Sequence, residues 1–369
     1  MRVSNLGPFF GEQKIEFSPK YDSPINVVVG PNGSGKTTLV TAIGWALYGD
    51  EYLSRYHQLV VNSHATRRGI HNGSVELTFE HVGRLYLLTR LLQKSEQLEL
   101  RSAEAILTVF DATERSVPLI VPNAQEFVNS IFPIGLGRFI LGDGELLYEV
   151  MHTNDGDLSL IGRAVRELFS SNLVTNAGTN CEPDIEHNPT EMGILKAIEI
   201  AVNDRLRTLN GRIGKHSISF DTLGHLSVNE HDATGGEMSL IAMIVYCLSL
   251  AIIGEQLIQH NHTPRRGVDT FPIILEYPFG PLDAWARHEA LNFLLTLDRP
   301  LILILPPRDI EWLTQYSGFC KKIGGFHALV MHDPQHRNFQ QIEFDFRGVR
   351  VPLSVTGSAF EGTEITTVI

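Results

Sequence analysis

The fold of this chain follows from the segment Ile25-Asn-Val-Val-Val-Gly30-Pro-Asn-Gly-Ser-Gly35-Lys36-Thr37-Thr38. Its first five residues form a short apolar run of the kind found in buried strands, and Lys36 to Leu47 has apolar side chains at helical spacing. The residues between satisfy G-x-x-x-x-G-K-[ST], with the strand and helix that confirm the motif. Backbone amides of such a loop converge on a phosphate, and the helix N-terminus adds partial positive charge. The segment therefore predicts a nucleotide phosphate site.

The loop residues have separate expected roles. The Lys36 ammonium is expected to reach the β- and γ-phosphates as a catalytic group, and the Thr37 hydroxyl is expected to ligate Mg²⁺. The expected ligands are ATP and Mg²⁺. The residues predicted to contact the nucleotide here are Asn32, Gly33, Ser34, Gly35, Lys36, Thr37 and Thr38.

A second glycine-rich segment, Ala233-Thr234-Gly235-Gly236-Glu237, precedes a long apolar run and lies 198 residues after Lys36 when counted to Thr234. Two interpretations apply to it. Thr-Gly-Gly-Glu is a capping box that begins a helix. Its glycines and hydroxyl at a helix N-terminus also form an anion site, and Thr234, Gly235 and Gly236 are then expected to bind the γ-phosphate held by a partner subunit.

An acidic residue ends another apolar run, Phe271-Pro-Ile-Ile-Leu-Glu276, which continues through Tyr277 to Leu282-Asp283. Glu276 is expected to support the Mg²⁺ shell and to be catalytic. Tyr277 follows it, and a phenol with a pKa near 10 is a poor general base at neutral pH. Another group is therefore expected to orient the attacking water, and the resemblance described below implies Asp143, also as a metal contact, with Asp283 as the other candidate.

The chain divides by its motifs into three predicted parts: an N-terminal lobe at 1–150, a helical hairpin at 151–215 and a C-terminal lobe at 216–369. Alternation of apolar residues predicts two antiparallel strands at 74–79 and 84–91. The end, from Asn338 to Ile369, is predicted to be a strand with an extended tail.

Composition limits the classes of protein. The 369 residues are 43% hydrophobic and 20% charged with a net charge of −12, which argues against a surface coated for nucleic acid. A basic cluster from Arg205 to Lys215 is either solvated surface charge or a docking element for DNA or a protein.

The three cysteines make no CxxC pair, so a reducing cytoplasm is expected. The longest apolar run, Leu240 to Ile253, is predicted to be too short to cross a bilayer and to belong to a buried helix from Ser239 to Ile258.

The chain resembles the heads of SMC-like ABC ATPases, most closely those of the DndD type linked to DNA phosphorothioation and phage defence. The matching segments include Asn5-Leu-Gly-Pro-Phe-Phe-Gly11, Gly30 to Thr38, Trp45-Ala-Leu-Tyr-Gly49, Phe139 to Glu145 and Glu276 to Asp283. They also include Ala233 to Glu237, which resembles the signature peptide of ABC ATPases and is called the signature below. The resemblance implies an α/β P-loop NTPase fold of the ABC head type, with a mixed sheet, an antiparallel β subdomain and a helical insertion. It places Asp143 at the usual Q-loop glutamine position.

Three features depart from the family pattern. The coiled coil is reduced to a short hairpin without a zinc-hook CxxC. Pro306-Pro307 stands where a switch histidine is expected, and Tyr277 stands where many ABC ATPases have a catalytic glutamate. DndD-type proteins also lack that glutamate, so turnover is expected to be slow and not absent.

The expected function is a slow ATPase whose heads dimerise around two nucleotides, as a subunit of a prokaryotic DNA-transaction or anti-phage system. Its expected partners are a second copy, other subunits such as an effector or nuclease, and, as a further candidate, DNA. The alternative is an assembly switch in which ATP holds an effector with little hydrolysis. A transporter motor is disfavoured by the motif spacing and the missing switch histidine.

Overall fold

The computed structural model describes residues 1–17, 22–53, 58–81, 83–94, 100–102, 105–111, 118–132, 141–142, 159, 161–166, 189–209, 213–229, 234–261, 272–297, 299–333, 342–356 and 361–369. These residues form two compact units. Unit 1 is Met1–Phe132 with Pro300–Ile369, and unit 2 is Pro133–Arg299. The three-part division by motifs stays a prediction.

The described helices are α1 (Lys36–Tyr48), α2 (Asp50–Leu53), α3 (Ser63–Arg67), α4 (Ala124–Ile131), α5 (Pro189–Thr208), α6 (Gly235–Asn261), α7 (Ala284–Thr296), α8 (Pro307–Leu313) and α9 (Ser317–Lys322). The described strands are β1 (Arg2–Ser4), β2 (Glu12–Lys14), β3 (Ile25–Val29), β4 (Asn72–His81), β5 (Arg84–Lys94), β6 (Leu100–Ser102), β7 (Ile106–Asp111), β8 (Leu119–Ile120), β9 (Leu141–Gly142), β10 (Ile218–Phe220), β11 (Leu226–Val228), β12 (Ile273–Glu276), β13 (Leu301–Leu305), β14 (Ile323–Asp333), β15 (Glu343–Phe346), β16 (Val349–Pro352), β17 (Ser354–Thr356) and β18 (Gly362–Thr367).

In unit 1, the strand β3 lies between β13 and β14 and runs parallel to both. All five residues of β3 and of β13 are buried, as expected of apolar runs in a parallel sheet. Val29, the last residue of β3, pairs with Leu305 and with Ala328. The carboxyl ends of β3 and β13 therefore meet at the edge from which the phosphate loop emerges, and β14 continues past this edge to Asp333.

The second sheet of unit 1 is antiparallel, in the order β2-β1-β4-β5-β7-β8 with β6 on β5. The two predicted strands are confirmed and are longer than expected. Arg90 of β5 is buried and donates its Nε–H to the carbonyl of Ala46 at 2.9 Å, while Gln125 donates to Leu47 at 2.9 Å. Burial lowers the pKa of Arg90 to about 10. The two side chains satisfy carbonyls that the end of α1 leaves without helical partners.

The C-terminal region differs from the extended tail predicted for it. It contains the strands β15 to β18, and β18 pairs antiparallel with β14 over Gly362 to Thr367. The long strand β14 carries the double glycine Gly324-Gly325, which breaks the apolar pattern, and its register with β3 shifts between Ile323 and Gly325. Long-range pairing thus orders a segment whose local pattern is weak.

In unit 2, the helix α6 is the long core element. It begins at Gly235, and its stretch from Gly235 to Gln256 is apolar and long enough to span a bilayer. Most of this stretch is nevertheless buried within the fold. The stretch extends the run from Leu240 to Ile253 at both ends, and the full burial of Tyr246, Cys247 and Ser249 confirms the buried helix predicted there. We interpret α6 as a core helix. It packs against α5 and α7.

Candidate functional site

The phosphate loop of unit 1 adopts the strand–loop–helix geometry predicted for it. Gly35 has a φ of +97° and precedes the first residue of α1, and Gly49 ends the helix by donating its N–H to the Trp45 carbonyl. The Lys36 ammonium turns back over the loop and donates to the carbonyls of Gly30 at 2.9 Å and Pro31 at 2.8 Å. The loop is therefore already curled around the ammonium that would meet a phosphate.

The N-terminal turn of the chain forms one wall of this loop. A Cβ atom on Gly35 would lie 2.6 Å from Pro8 Cγ and 2.9 Å from Phe9 Cζ. Thr363 of β18 donates its backbone N–H to the Pro8 carbonyl at 2.7 Å, which holds the wall from the other side. Close contact and positive φ both require glycine at position 35.

The buried hydroxyl of Ser34 indicates whether this loop is suited to bind a phosphate. Ser34 is fully buried, and its Oγ has no hydrogen-bond partner among the described residues. The first turn of α1 contains no acidic residue, and no side chain caps its N-terminus. A buried donor without a partner beside uncapped helix amides fits a triphosphate, whose oxygens would satisfy both.

A cleft of about 250 Å³ in unit 1 adjoins the loop at Gly33, with Asn62, His332, Glu361 and Thr363 among its lining residues. Asn62 is not among the site residues predicted from the sequence. Its amide donates to the Gly7 carbonyl at 2.8 Å, and its side-chain oxygen caps α3 by accepting from Ala65 at 3.0 Å. An asparagine directly before a short helix is an N-cap signal that could have identified it.

In unit 2, β12 ends at Glu276, which is buried, as predicted for a strand ending in an acid. β12 pairs in parallel with β9, and Leu275 lies opposite Gly142. Asp143, the residue after β9, lies outside the described residues, so its assignment to metal and water stays a prediction. Glu276 is thus the acidic residue for which the structure gives a position, and its role in binding Mg²⁺ is a proposal.

Tyr277 adopts a strained backbone conformation immediately after this acid. Its φ is +55°, in the left-handed region that a bulky residue rarely occupies. Gly280 donates its N–H to the Tyr277 carbonyl at 3.2 Å, and a Cβ on Gly280 would stand 1.8 Å from Tyr277 Cε1. The phenol ring therefore lies directly over Gly280. Backbone strain of this kind is common at functional positions, which is consistent with Tyr277 lying next to the proposed metal-binding acid.

The signature segment forms the capping box that its sequence indicated. Glu237 accepts the Thr234 N–H at 2.7 Å, and Thr234 Oγ1 accepts the Glu237 N–H at 3.3 Å. Thr234 and Gly235 are exposed, and nothing lies within 4 Å of a Cβ built on Gly235. The cap and the anion site are compatible, because the Thr234 hydroxyl accepts within the cap and keeps its own proton to donate.

The predicted basic cluster is not a uniform surface. The Arg205 guanidinium lies 5.3 Å from the centre of the Phe293 ring, and burial lowers its pKa, with Glu289 partly offsetting that effect. Arg207 is exposed and pairs with Asp204 at 3.0 Å. Arg205 therefore packs against α7, and only Arg207 and Lys215 of the described cluster retain a surface character.

The chain matches known proteins over its N-terminal part. A family model described as an AAA domain matches residues 1–139. The DNA double-strand break repair Rad50 ATPase of Thermoplasma acidophilum is 27% identical over 120 residues, which are 30% of this chain and 13% of that protein. One of the subunits of the nuclease SbcCD from Treponema pallidum is 47% identical over 49 residues, or 13% of this chain and 4% of that protein. The matches thus span a small part of the curated relatives.

The fold extends the likeness to the whole chain. The SMC head that was crystallised bound to the C-terminal winged-helix domain of ScpA covers 100% of this chain and 96% of its own, with a TM-score of 0.54 and 11% identity. At that identity the likeness concerns the fold. It confirms the predicted fold class, with its mixed sheet and antiparallel β subdomain.

Proposed function

We propose that this chain, which has the fold of an SMC-type ABC ATPase head, binds Mg-ATP and forms a two-fold dimer around two nucleotides, hydrolysing ATP slowly. The observation that carries the proposal is the loop around Lys36. There a buried hydroxyl, uncapped helix amides and an ammonium converge beside a cleft.

The bound triphosphate would take over contacts that the loop now makes with itself. Lys36 would exchange its two carbonyl partners for phosphate oxygens, and Ser34 would gain the acceptor that its buried hydroxyl lacks. Charge-assisted hydrogen bonds to phosphate are stronger than those to neutral carbonyls. The cleft beside Gly33 would receive the nucleoside, with Asn62 at its wall.

Metal binding is assigned to Thr37 and Glu276, with Asp143 as a further proposed contact. Mg²⁺ usually keeps several waters and takes only one or two protein ligands beside substrate phosphates, which suits so small a donor set. When bound, it would neutralise charge on the transferred phosphoryl group. Phosphoryl transfer depends on positioning more than on strong base catalysis, so a site with Tyr277 after Glu276 still supports slow turnover.

The dimer rests on the exposed signature. Thr234, Gly235 and Gly236 open the 27-residue helix α6, whose N-terminus carries partial positive charge. A phosphate carried by a second copy is the complementary ligand, and two identical contacts of this kind close a two-fold dimer. We assign Thr234 to Gly236 to the partner's γ-phosphate.

The cellular role proposed is that of a subunit in a prokaryotic DNA-transaction or anti-phage defence system. Support comes from the names of the relatives, one a double-strand break repair ATPase and one a subunit of a nuclease. A nuclease or other effector is the partner we propose. The alternative is an ATP-dependent scaffold with negligible hydrolysis, which the absence of a glutamate at position 277 favours.

Calorimetric titration of Mg-ATP tests the proposal. Lys36→Ala should abolish binding, while Lys196→Ala, a surface lysine whose side chain is 61% exposed, should bind as the wild type does. Micromolar affinity retained by Lys36→Ala would refute the site. Phosphate release at steady state then separates a slow ATPase from a scaffold, since a scaffold would bind and dimerise with no turnover above that of Lys36→Ala.

A further inference from the structure

Trp285 is an exposed aromatic residue at the start of α7. It lies two residues after the cap of α7, and 39% of it is exposed, whereas Ala286, Phe293 and Leu294 on the buried side of that helix are inaccessible. Part of a large apolar indole is therefore accessible at the start of α7, and tryptophan with one accessible side is enriched at interfaces.

The position of α7 ties Trp285 to the signature. The cap residue Asp283 touches Gly236, because a Cβ on that glycine would lie 2.9 Å from Asp283 Oδ2. Thr234 and Gly235 are exposed beside this contact. An apolar indole thus adjoins a polar helix N-terminus on one surface of unit 2, which we name the signature surface and define by Thr234, Gly235, Asp283 and Trp285.

We infer that Trp285 is the apolar anchor of the signature surface and that the surface binds a second copy of this chain. Charge complementarity identifies the occupant. The N-terminus of α6 carries partial positive charge, and a second copy with nucleotide in its phosphate loop presents the matching negative charge. The inference rests on the proposed function, since the second copy supplies the nucleotide.

The indole and the helix N-terminus of this surface are expected to contribute to binding in different ways. Tryptophan is enriched among the few residues that contribute most to binding in interfaces, especially where polar groups surround it and exclude water. The anion contact makes association depend on nucleotide, while the indole supplies apolar area that needs no ligand. In a two-fold dimer the anchor occurs twice, so one substitution removes two contacts.

Analytical ultracentrifugation of the full chain with and without Mg-ATP, together with calorimetry for nucleotide affinity, tests the anchor. Trp285→Ala should weaken ATP-dependent dimerisation roughly 30-fold or more, the loss typical of an interface hot spot, with nucleotide affinity of the monomer unchanged. Trp285→Phe should recover part of the loss. Ile200→Ala is the control, because Ile200 is 53% exposed on α5 in the same unit.

The outcomes separate the two proposals. A wild type that dimerises with Mg-ATP and a Trp285→Ala variant that dimerises equally well would overturn the anchor and leave the dimer standing. A wild type that binds nucleotide and stays monomeric would overturn the dimer and the anchor together. Equal losses for Ile200→Ala and Trp285→Ala would also overturn the anchor, since the effect would not belong to this surface.

Discussion

The carboxylate of Asp283 lies against Gly236: a Cβ atom on the glycine would stand 2.9 Å from Asp283 Oδ2 and 3.2 Å from its Cγ. The other carboxylate oxygen caps α7 by accepting the Ala286 N–H at 2.8 Å. The first turn of α6 and the start of α7 are therefore joined through one side chain. A side chain added at Gly236 would therefore collide with the residue that caps α7.

Gly236→Ala should disrupt the contact between Gly236 and Asp283. The added methyl group would push Asp283 out of its cap, which costs about 1 kcal/mol for a lost N-cap. Gly235→Ala is the matched control, since its Cβ would meet open space. Chemical denaturation should show lower stability for Gly236→Ala than for Gly235→Ala, and equal midpoints would contradict the coupling.

Gly35→Ala should abolish Mg-ATP binding. Gly11→Ala is the control for backbone strain, because Gly11 has a φ of +68° and nothing within 4 Å of its Cβ position. Both variants should lose about 1–2 kcal/mol of stability from the left-handed backbone. Only Gly35→Ala also drives a methyl group into Pro8 and Phe9. Calorimetry that finds the two variants equally competent in ATP binding would disprove the role of this wall.

Glu276→Ala should reduce steady-state ATP hydrolysis by roughly 10- to 100-fold, the range seen when a group that supports a metal shell is removed. ATP binding by the phosphate loop should persist. Hydrolysis at the wild-type rate would show that β12 does not carry the metal-supporting acid.

Substitutions at Tyr277 test the phenol separately. Tyr277→Phe should leave turnover close to that of the wild type, because a phenol with a pKa near 10 is a poor general base at neutral pH and the substitution keeps the ring that lies over Gly280. Tyr277→Glu should raise turnover or leave it similar. If Tyr277→Phe eliminates hydrolysis while nucleotide binding and dimerisation persist, the phenol takes part in the reaction.

The pH dependence of stability should depend on His327. This side chain is buried and contacts the Glu16 carbonyl through Nε2 at 2.9 Å and Thr367 Oγ1 through Nδ1 at 3.2 Å. In the folded state, burial lowers the pKa of His327 below the ordinary histidine value of 6.5, and the hydrogen bond to the Glu16 carbonyl offsets this decrease only in part. The folded state binds fewer protons than the unfolded state, so the stability is complete above about pH 6.5 and is lost as the pH falls toward the folded pKa.

Denaturation midpoints at pH 7.5 and at lower pH check this prediction. His327→Gln should be less sensitive to acid than the wild type, and His71→Gln, on an exposed residue, should follow the wild type. Equal acid sensitivity of His327→Gln and the wild type would assign the loss to other groups.

Local chemistry explains what could be predicted from the sequence. The phosphate loop, the helix after it and its glycine cap form from residues within a few positions of each other, as does the Thr234–Glu237 capping box. Their geometry depends on backbone conformation and on short hydrogen bonds, which residue types at fixed spacing encode. For the same reason Glu276 could be identified at the end of a buried strand.

Contacts between distant segments explain the rest. Pro8 meets Gly35 and is held by Thr363, and Gly236 meets Asp283, although no local pattern links these residues. The partnership of β18 with β14 and the burial of polar residues along α6 likewise arise only when separate elements pack. Sequence spacing specifies each element and its chemical groups. The side chains that reach one another across elements, and therefore the wall of the loop and the neighbours of the signature, are decided by packing in three dimensions.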